Sequence, residues 1–257
     1  MILNREIIGM LALIRKETRR VLRIWVQTII PPGITMSLYF IIFGTLIGRR
    51  IGQMDGFQYM EYIAPGLIMM SVITNSYGNV VGSFFNAKIQ RHIEEMLVSP
   101  MSEISIVTGY LTGGIIRGIF VAAVVSLITL FFTQLNIQYP VLAILVVVMT
   151  AGVFSLAGLL NAIFAKKFDD IAIIPSFVLA PLTYLGGVFY TISLLPEFWQ
   201  KVSYFNPILY MVNAMRFSVL GESDIDISVG IVVILSFFIL LLCASIFLLK
   251  KGVGIRE

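Results

Sequence analysis

Charge is what this chain has least of. Of its 257 residues, 18 are Lys or Arg and 14 are Asp or Glu. Charged residues make up 12% against 58% hydrophobic, and the mean hydropathy is +0.97. A soluble domain carries roughly 25% charged residues. The composition therefore excludes a soluble enzyme, a secreted disulfide scaffold and a disordered chain. A single cysteine, Cys243, excludes an intrachain disulfide. A single histidine, His92, excludes a paired-histidine zinc site and stands near no nucleophile elbow. There is no H-E-x-x-H and no G-x-x-x-x-G-K-[ST], so this chain has no P-loop to cradle ATP phosphates. Asp169-Asp170 has no second acidic cluster and reads as loop charge or a partner contact, not a metal site. The net charge of +4 does not point to nucleic acid, because the charges gather at the ends of apolar runs, which is the membrane pattern.

What is present is long uncharged runs. A spanning helix needs about 20 mainly apolar residues. Six stretches qualify, at 25–48, 62–87, 104–133, 140–165, 171–190 and 228–249. The chain thus reads as one all-α integral membrane domain, 1–257, with six transmembrane helices. Pro31-Pro32 predicts a kink or late start in the first span, and Pro65-Gly66 a disturbed start to the second. The segment 191–226, rich in aromatics and prolines, is too broken to span and too apolar for a free loop. It predicts two short re-entrant helices in the outer interface. Residues 5–24 predict an amphipathic interfacial helix, with Ile7, Leu11, Ile14, Val21 and Leu22 at helical spacing among Arg15, Lys16, Arg19, Arg20 and Arg23. The same residues also fit a basic start to a long first span. They do not have the form of a cleavable signal peptide.

Six spans put both termini on one side. Thirteen Lys and Arg fall on that side, four on the other (Arg49, Arg50, Lys201, Arg216), and Arg117 lies within a span. The positive-inside rule then places both termini in the cytoplasm. No repeat relates the two halves, so an inverted-repeat secondary transporter is not supported.

Few polar residues interrupt the spans. Arg117 is the one clear intramembrane charge, at a cost of about 2.5 to 3.5 kcal/mol on insertion scales. It reads either as a contact to an anionic lipid or substrate, or as a snorkelling or buried, paired arginine. Asn75 and Asn79, four apart, share a helix face. They fit a translocation path or interhelical hydrogen bonding equally. Gly44/Gly48, Gly78/Gly82, Gly109/Gly113 and Gly114/Gly118 are spaced for close helix approach. Residues 88–100 predict a short cytoplasmic amphipathic helix ended by Pro100. Ile89, Ile93 and Met96/Leu97 form its apolar stripe, beside Arg91, Glu94 and Glu95. Such a helix suits docking into a partner's groove. A membrane-surface linker is the other reading, against which Glu94 and Glu95 stand, since an anionic leaflet repels carboxylates.

At this point the runs 62–67 (YIAPGL), 91–100 (RHIEEMLVSP), 154–159 (FSLAGL), 181–190 (PLTYLGGVFY) and 206–210 (NPILY) resemble the ABC-2 type transporter permeases, over essentially the whole chain. The resemblance implies that 88–100 is a coupling helix of the usual R-x-x-E-x-L-x-x-x-P form, within which Met96 and Ser99 are variations, with Arg91, Glu94, Glu95, Leu97 and Pro100 meeting an ATPase. It implies a permease homodimer among membrane lipids that binds two copies of a separate ABC ATPase subunit. ATP and Mg would be bound by that partner, with no cofactor on this chain. It also implies an inner-membrane exporter of a lipid, glycan or amphipathic small molecule. The alternatives are a secondary transporter or channel, which lacks the expected intramembrane carboxylates, and an intramembrane lipid-modifying enzyme, which lacks an acid, base or metal cluster.

Overall fold

The computed structural model describes residues 2–134 and 136–254, with side chains from residue 5 onward. Arg256, counted above among the basic residues of the tail, and Leu135 in the turn before the fourth stretch lie outside the described residues. The architecture is almost wholly helical. The helices are α1 (Ile2–Arg23), α2 (Trp25–Ile51), α3 (Tyr59–Ile89), α4 (His92–Val98), α5 (Glu103–Thr129) and α6 (Pro140–Phe164). They continue with α7 (168–184), α8 (Glu197–Tyr204), α9 (Pro207–Leu220) and α10 (Ile227–Lys251). Among the described residues, four helices are both long and apolar enough to cross a membrane: α2, α5, α6 and α10. The other two expected spans differ in kind. α3 is long enough at 31 residues, but Ser71, Thr74, Asn75, Ser76, Asn79 and Ser83 make it less apolar than the rest. α7 is assembled from Phe168–Ile174, a wide π-helical turn at Pro175–Leu179, and Ala180–Tyr184. The helix stops at Tyr184, and the turn that follows includes Gly187 with a positive φ of 70°.

The prolines act less than expected. α2 starts at Trp25, with Pro31 and Pro32 inside it, and α3 runs from Tyr59 straight through Pro65. The interruption near the first span falls at Ile24 instead, between α1 and α2. The π-helical turns of α2 lie at Phe40–Ile47, beyond the prolines. One small departure from an all-α reading occurs at 53–58. There Gln53–Met54 pairs antiparallel with Phe57–Gln58 across Asp55-Gly56. Both turn residues have positive φ, 50° and 83°, as a two-residue hairpin of type I′ needs.

α3 is the centre of the bundle. It packs on α5, α6 and α9, and most of its side chains are buried. Small residues let the backbones close up. A Cβ at Gly158 of α6 would stand 2.6 Å from the carbonyl oxygen of Tyr77 on α3. A Cβ at Gly114 or Gly118 of α5 would meet Ser155, Ser76 and Ala151 well inside contact distance. Asn161 reinforces the α3–α6 seam by donating to the Tyr77 hydroxyl at 2.7 Å and to the Ile171 carbonyl at 3.3 Å. Below that seam the Lys88 ammonium donates to the carbonyls of Ile163 and Ala165 at 2.6 and 2.7 Å. Those carbonyls close the C-terminal end of α6, where a cation is favoured.

The helix expected over 5–24 is present as α1, but it does more than rest on a surface. One row, Leu13, Glu17 and Val21, is buried. α1 runs alongside α5, with Leu13 over Gly109 and Glu17 over Gly113. Ile8, Leu11, Leu22, Arg15, Lys16 and Arg19 remain exposed, so an amphipathic outer face persists. Of the four spaced glycine pairs, three are consumed inside the chain. Gly78 and Gly82 meet nothing within 4 Å.

At the opposite end of α3 from Lys88, Arg216 of α9 is buried to 1% exposure. Its guanidinium donates to the Gly187 carbonyl at 2.6 Å, stands 3.6 Å from the Asp224 carboxylate and lies 4.0 Å over the Tyr62 ring. Arg216 therefore ties α3, the turn after α7 and α9 together. It belongs to the fold's interior rather than to a loop, so it drops out of a count of basic loop residues.

Two outcomes are expected. Gly158→Val forces apart two backbones and will destabilise the detergent-solubilised chain by about 1–3 kcal/mol, the usual cost of overpacking. Gly78→Ala, with open space around it, will shift thermal unfolding little. The second concerns Asp170, whose carboxylate accepts from the amides of Lys166 and Lys167 at 2.8 and 2.9 Å and is held below the usual carboxylate range by them. A lowered value means this contact is intact above about pH 4 and is lost as pH falls through it. Asp170→Ala should speed hydrogen exchange of those two amides, with no pH-dependent loss of wild-type protection between pH 5 and 8.

Candidate docking helix and polar face

The first candidate region is α4. α3 ends at Ile89, and Arg91 adopts a left-handed conformation (φ 61°, ψ 9°) that swings the chain into α4. Glycine or asparagine is the usual occupant of such a position, so an arginine there carries a conformational cost. Ile93 is buried against the chain's own core, and Met96 and Leu97 pack beside it. The apolar stripe read from the sequence is thus largely turned inward and roots α4 on the bundle. What faces out is Arg91, His92, Glu94, Glu95 and Pro100, with Val98 at 87% exposure and Ile89 at 49%. Of the five coupling candidates, four are exposed and Leu97 is half-buried. Glu94 and Glu95 occupy the first turn of α4, where a helix N-terminus favours carboxylates.

The second region is a polar face of α3. Asn75, Asn79 and Ser83 fall on one row, four residues apart. Thr74, Gly78, Gly82 and Asn86 form the adjacent row, which the chain leaves open. Arg117 of α5 donates to the Asn75 side-chain oxygen at 3.3 Å, so two of the residues singled out from the sequence meet. Asn79 is met by a different arginine. Arg20 of α1 donates to the Asn79 side-chain oxygen at 2.9 Å and to its backbone carbonyl at 3.3 Å. Arg20 also forms a two-pronged pair with the Glu17 carboxylate at 2.8 and 3.0 Å. The Ser83 hydroxyl contacts both Glu17 oxygens at 2.9 Å. Glu17 itself is fully buried.

Glu17, Arg20 and Ser83 were not singled out from the sequence. Glu17 sits among basic residues on an amphipathic helix and reads there as one more surface charge. The signal was its spacing: Leu13, Glu17 and Val21 are four apart, which puts a carboxylate in the row that packs inward. The positions of Asn75, Asn79 and Arg117 satisfy much of their hydrogen bonding within the chain. Two donors remain buried without an acceptor, Nδ2 of Asn79 and Nε of Arg117.

A cavity of about 100 Å³ lies at the other end of α3, lined by Asp55, Phe57, Tyr62, Arg216 and Asp224. Arg216 and Asp224 there are already engaged with each other, and Asp224 also accepts from Thr191 at 3.0 Å.

Comparison with known proteins agrees with this geometry. Residues 9–220 match the ABC-2 type transporter family. The chain is 54% identical over 244 residues, 94% of each chain, to the inner membrane transport permease YadH of Escherichia coli K12. It is 21% identical over 215 residues, 83% of each chain, to nodulation protein J of Rhizobium leguminosarum bv. viciae. A bundle with four span-length apolar helices, a short charged helix outside it, and a family match across most of its length lead to one assignment: the chain belongs to the ABC-2 type transporter family, as an inner-membrane transport permease.

Proposed function

We propose that this chain is the membrane subunit of an ATP-driven exporter, a homodimer that engages two copies of a separate ABC ATPase through α4. The observation that carries the reading is the construction of α4. Ile93 roots it on the core while Arg91, Glu94 and Glu95 point away from it. A rooted helix with an outward charge set transmits a push into the bundle, where a tethered linker would absorb it. The absence of a P-loop from the sequence assigns nucleotide chemistry to the partner chain. In this reading the bundle crosses the membrane six times. α3 serves as a span despite its polar residues because neighbouring helices cover Ser71, Ser76, Asn79 and Ser83, and the broken α7 serves as the fifth. Both termini and α4 face the cytoplasm, and α8 and α9 dip into the outer interface. The open row Thr74, Gly78, Gly82 and Asn86, with Asn75, Asn79 and Arg117 beside it, borders the path between two protomers. An amphipathic substrate suits such a path, since one wall is polar and the surrounding helices are apolar.

The experiment is co-expression of the chain with a candidate ABC ATPase from the same genome, followed by purification in mild detergent. The two should co-purify, and reconstitution should raise ATP hydrolysis above that of the ATPase alone. Glu94→Ala/Glu95→Ala should lower that stimulation at least severalfold while the chain still inserts. Recovery of the permease alone, or unchanged stimulation in the double variant, would count against the reading.

A further inference from the structure

The charges around the polar face of α3 do not balance. Lys16 and Arg20 both pair with Glu17, at 3.7 and 2.8 Å, and no further carboxylate joins the cluster among the described residues. Among the described residues Arg117 has only the neutral oxygen of Asn75, at 3.3 Å. Arg20, a second cation, meets the same helix at Asn79. Their partners Asn75 and Asn79 are one helical turn apart, so the two guanidiniums sit side by side along α3. Three cations thus share one carboxylate. In a low-dielectric setting an unneutralised guanidinium draws a counter-ion. Nε of Arg117 and Nδ2 of Asn79 are further donors without an acceptor. Beside them the chain leaves a shallow floor at Gly78 and Gly82, where an added Cβ would meet nothing within 4 Å.

We propose that Arg117 and Arg20, positioned by Asn75 and Asn79, bind the phosphate group of an amphiphile whose chain lies along the Gly78/Gly82 row. Guanidinium groups match phosphate oxygens with paired, charge-assisted hydrogen bonds. Glu17 holds Arg20 in place, and Asn75 holds Arg117, so the site is positioned before the ligand arrives. Lys16, at the exposed rim of the cluster, adds attraction without geometry. This inference rests on the reading of that face as the border of the transport path. It adds the chemical class of what is carried or held there.

The test uses the full chain purified in detergent and exchanged into nanodiscs of phosphatidylcholine doped with phosphatidylglycerol. Retention of phosphatidylglycerol is read by native mass spectrometry, with inorganic phosphate as competitor. The wild-type chain should retain the anionic lipid in preference to phosphatidylcholine. Arg117→Gln keeps a donor for Asn75 and should reduce that retention by about tenfold or more, the worth of one charge-assisted hydrogen bond. Arg15→Gln/Arg19→Gln, on the exposed face of α1, should leave it within about twofold. If millimolar inorganic phosphate displaces the lipid, the site takes a free phosphate too. If it does not, the lipid headgroup with its chains is the ligand. Equal retention in Arg117→Gln, or an equal loss in Arg15→Gln/Arg19→Gln, overturns the site. A chain that stimulates its ATPase but shows no lipid preference overturns this inference alone. A chain that retains the lipid but engages no ATPase overturns the transport reading and leaves the site standing.

Discussion

Backbone-to-backbone contact between α3 and its neighbours is the constraint on which the rest of the bundle depends. Lipid tails are as apolar as leucine, so burying hydrocarbon gives helices in a membrane little reason to associate. Packing and polar contacts must do it instead. Gly114, Gly118 and Gly158 bring α5 and α6 close enough to α3 for Asn161 to reach Tyr77 and for small hydroxyls to fill the seam. Only with the helices this close can a helix as polar as α3 occupy the centre. Its serines and Asn79 are then covered by protein rather than presented to hydrocarbon, while Thr74 and Asn86 stay on the open row.

The same closeness orders the charges. α1 can lay Glu17 over Gly113 because no side chain stands in the way, and Glu17 then gathers Ser83 and Arg20. At the far end of α3, Arg216 fills the corner between the turn after α7 and α9. Each end of the central helix thus carries a buried charge, and each charge bridges elements that lie far apart in the sequence. The bundle has fewer charges than a soluble protein, and several of those it has act as internal ties.

Much of this was legible beforehand, for definite reasons. Long uncharged runs fix where helices must be, and the ends of α5, α6 and α10 fall within a few residues of the expected ones. Arg117 and Asn75 stood out because polar groups are rare in apolar runs, and they do meet. The prolines delay no helix start, because Pro31, Pro32 and Pro65 are accommodated inside their helices. The break in α7 was not legible, since a wide turn at Pro175–Leu179 follows from packing rather than from any residue type. The Asp55-Gly56 hairpin was written in the sequence as a D-G turn but hidden in a loop too short to suggest strands. The burial of Glu17 and Arg216 depends on contacts 60 or more residues away for the one and 29 for the other, which local pattern does not reveal.

Lys88 has a mechanical meaning. It stands four residues before α4, and its ammonium grips the last carbonyls of α6, just ahead of the loop that opens α7. The two loops at this end of the bundle are therefore clamped into a single footplate. On the proposed docking role of α4, a displacement received there would load α3 and, through the Lys88 clamp, the base of α6 together, so the two helices would answer as one lever rather than as separate rods.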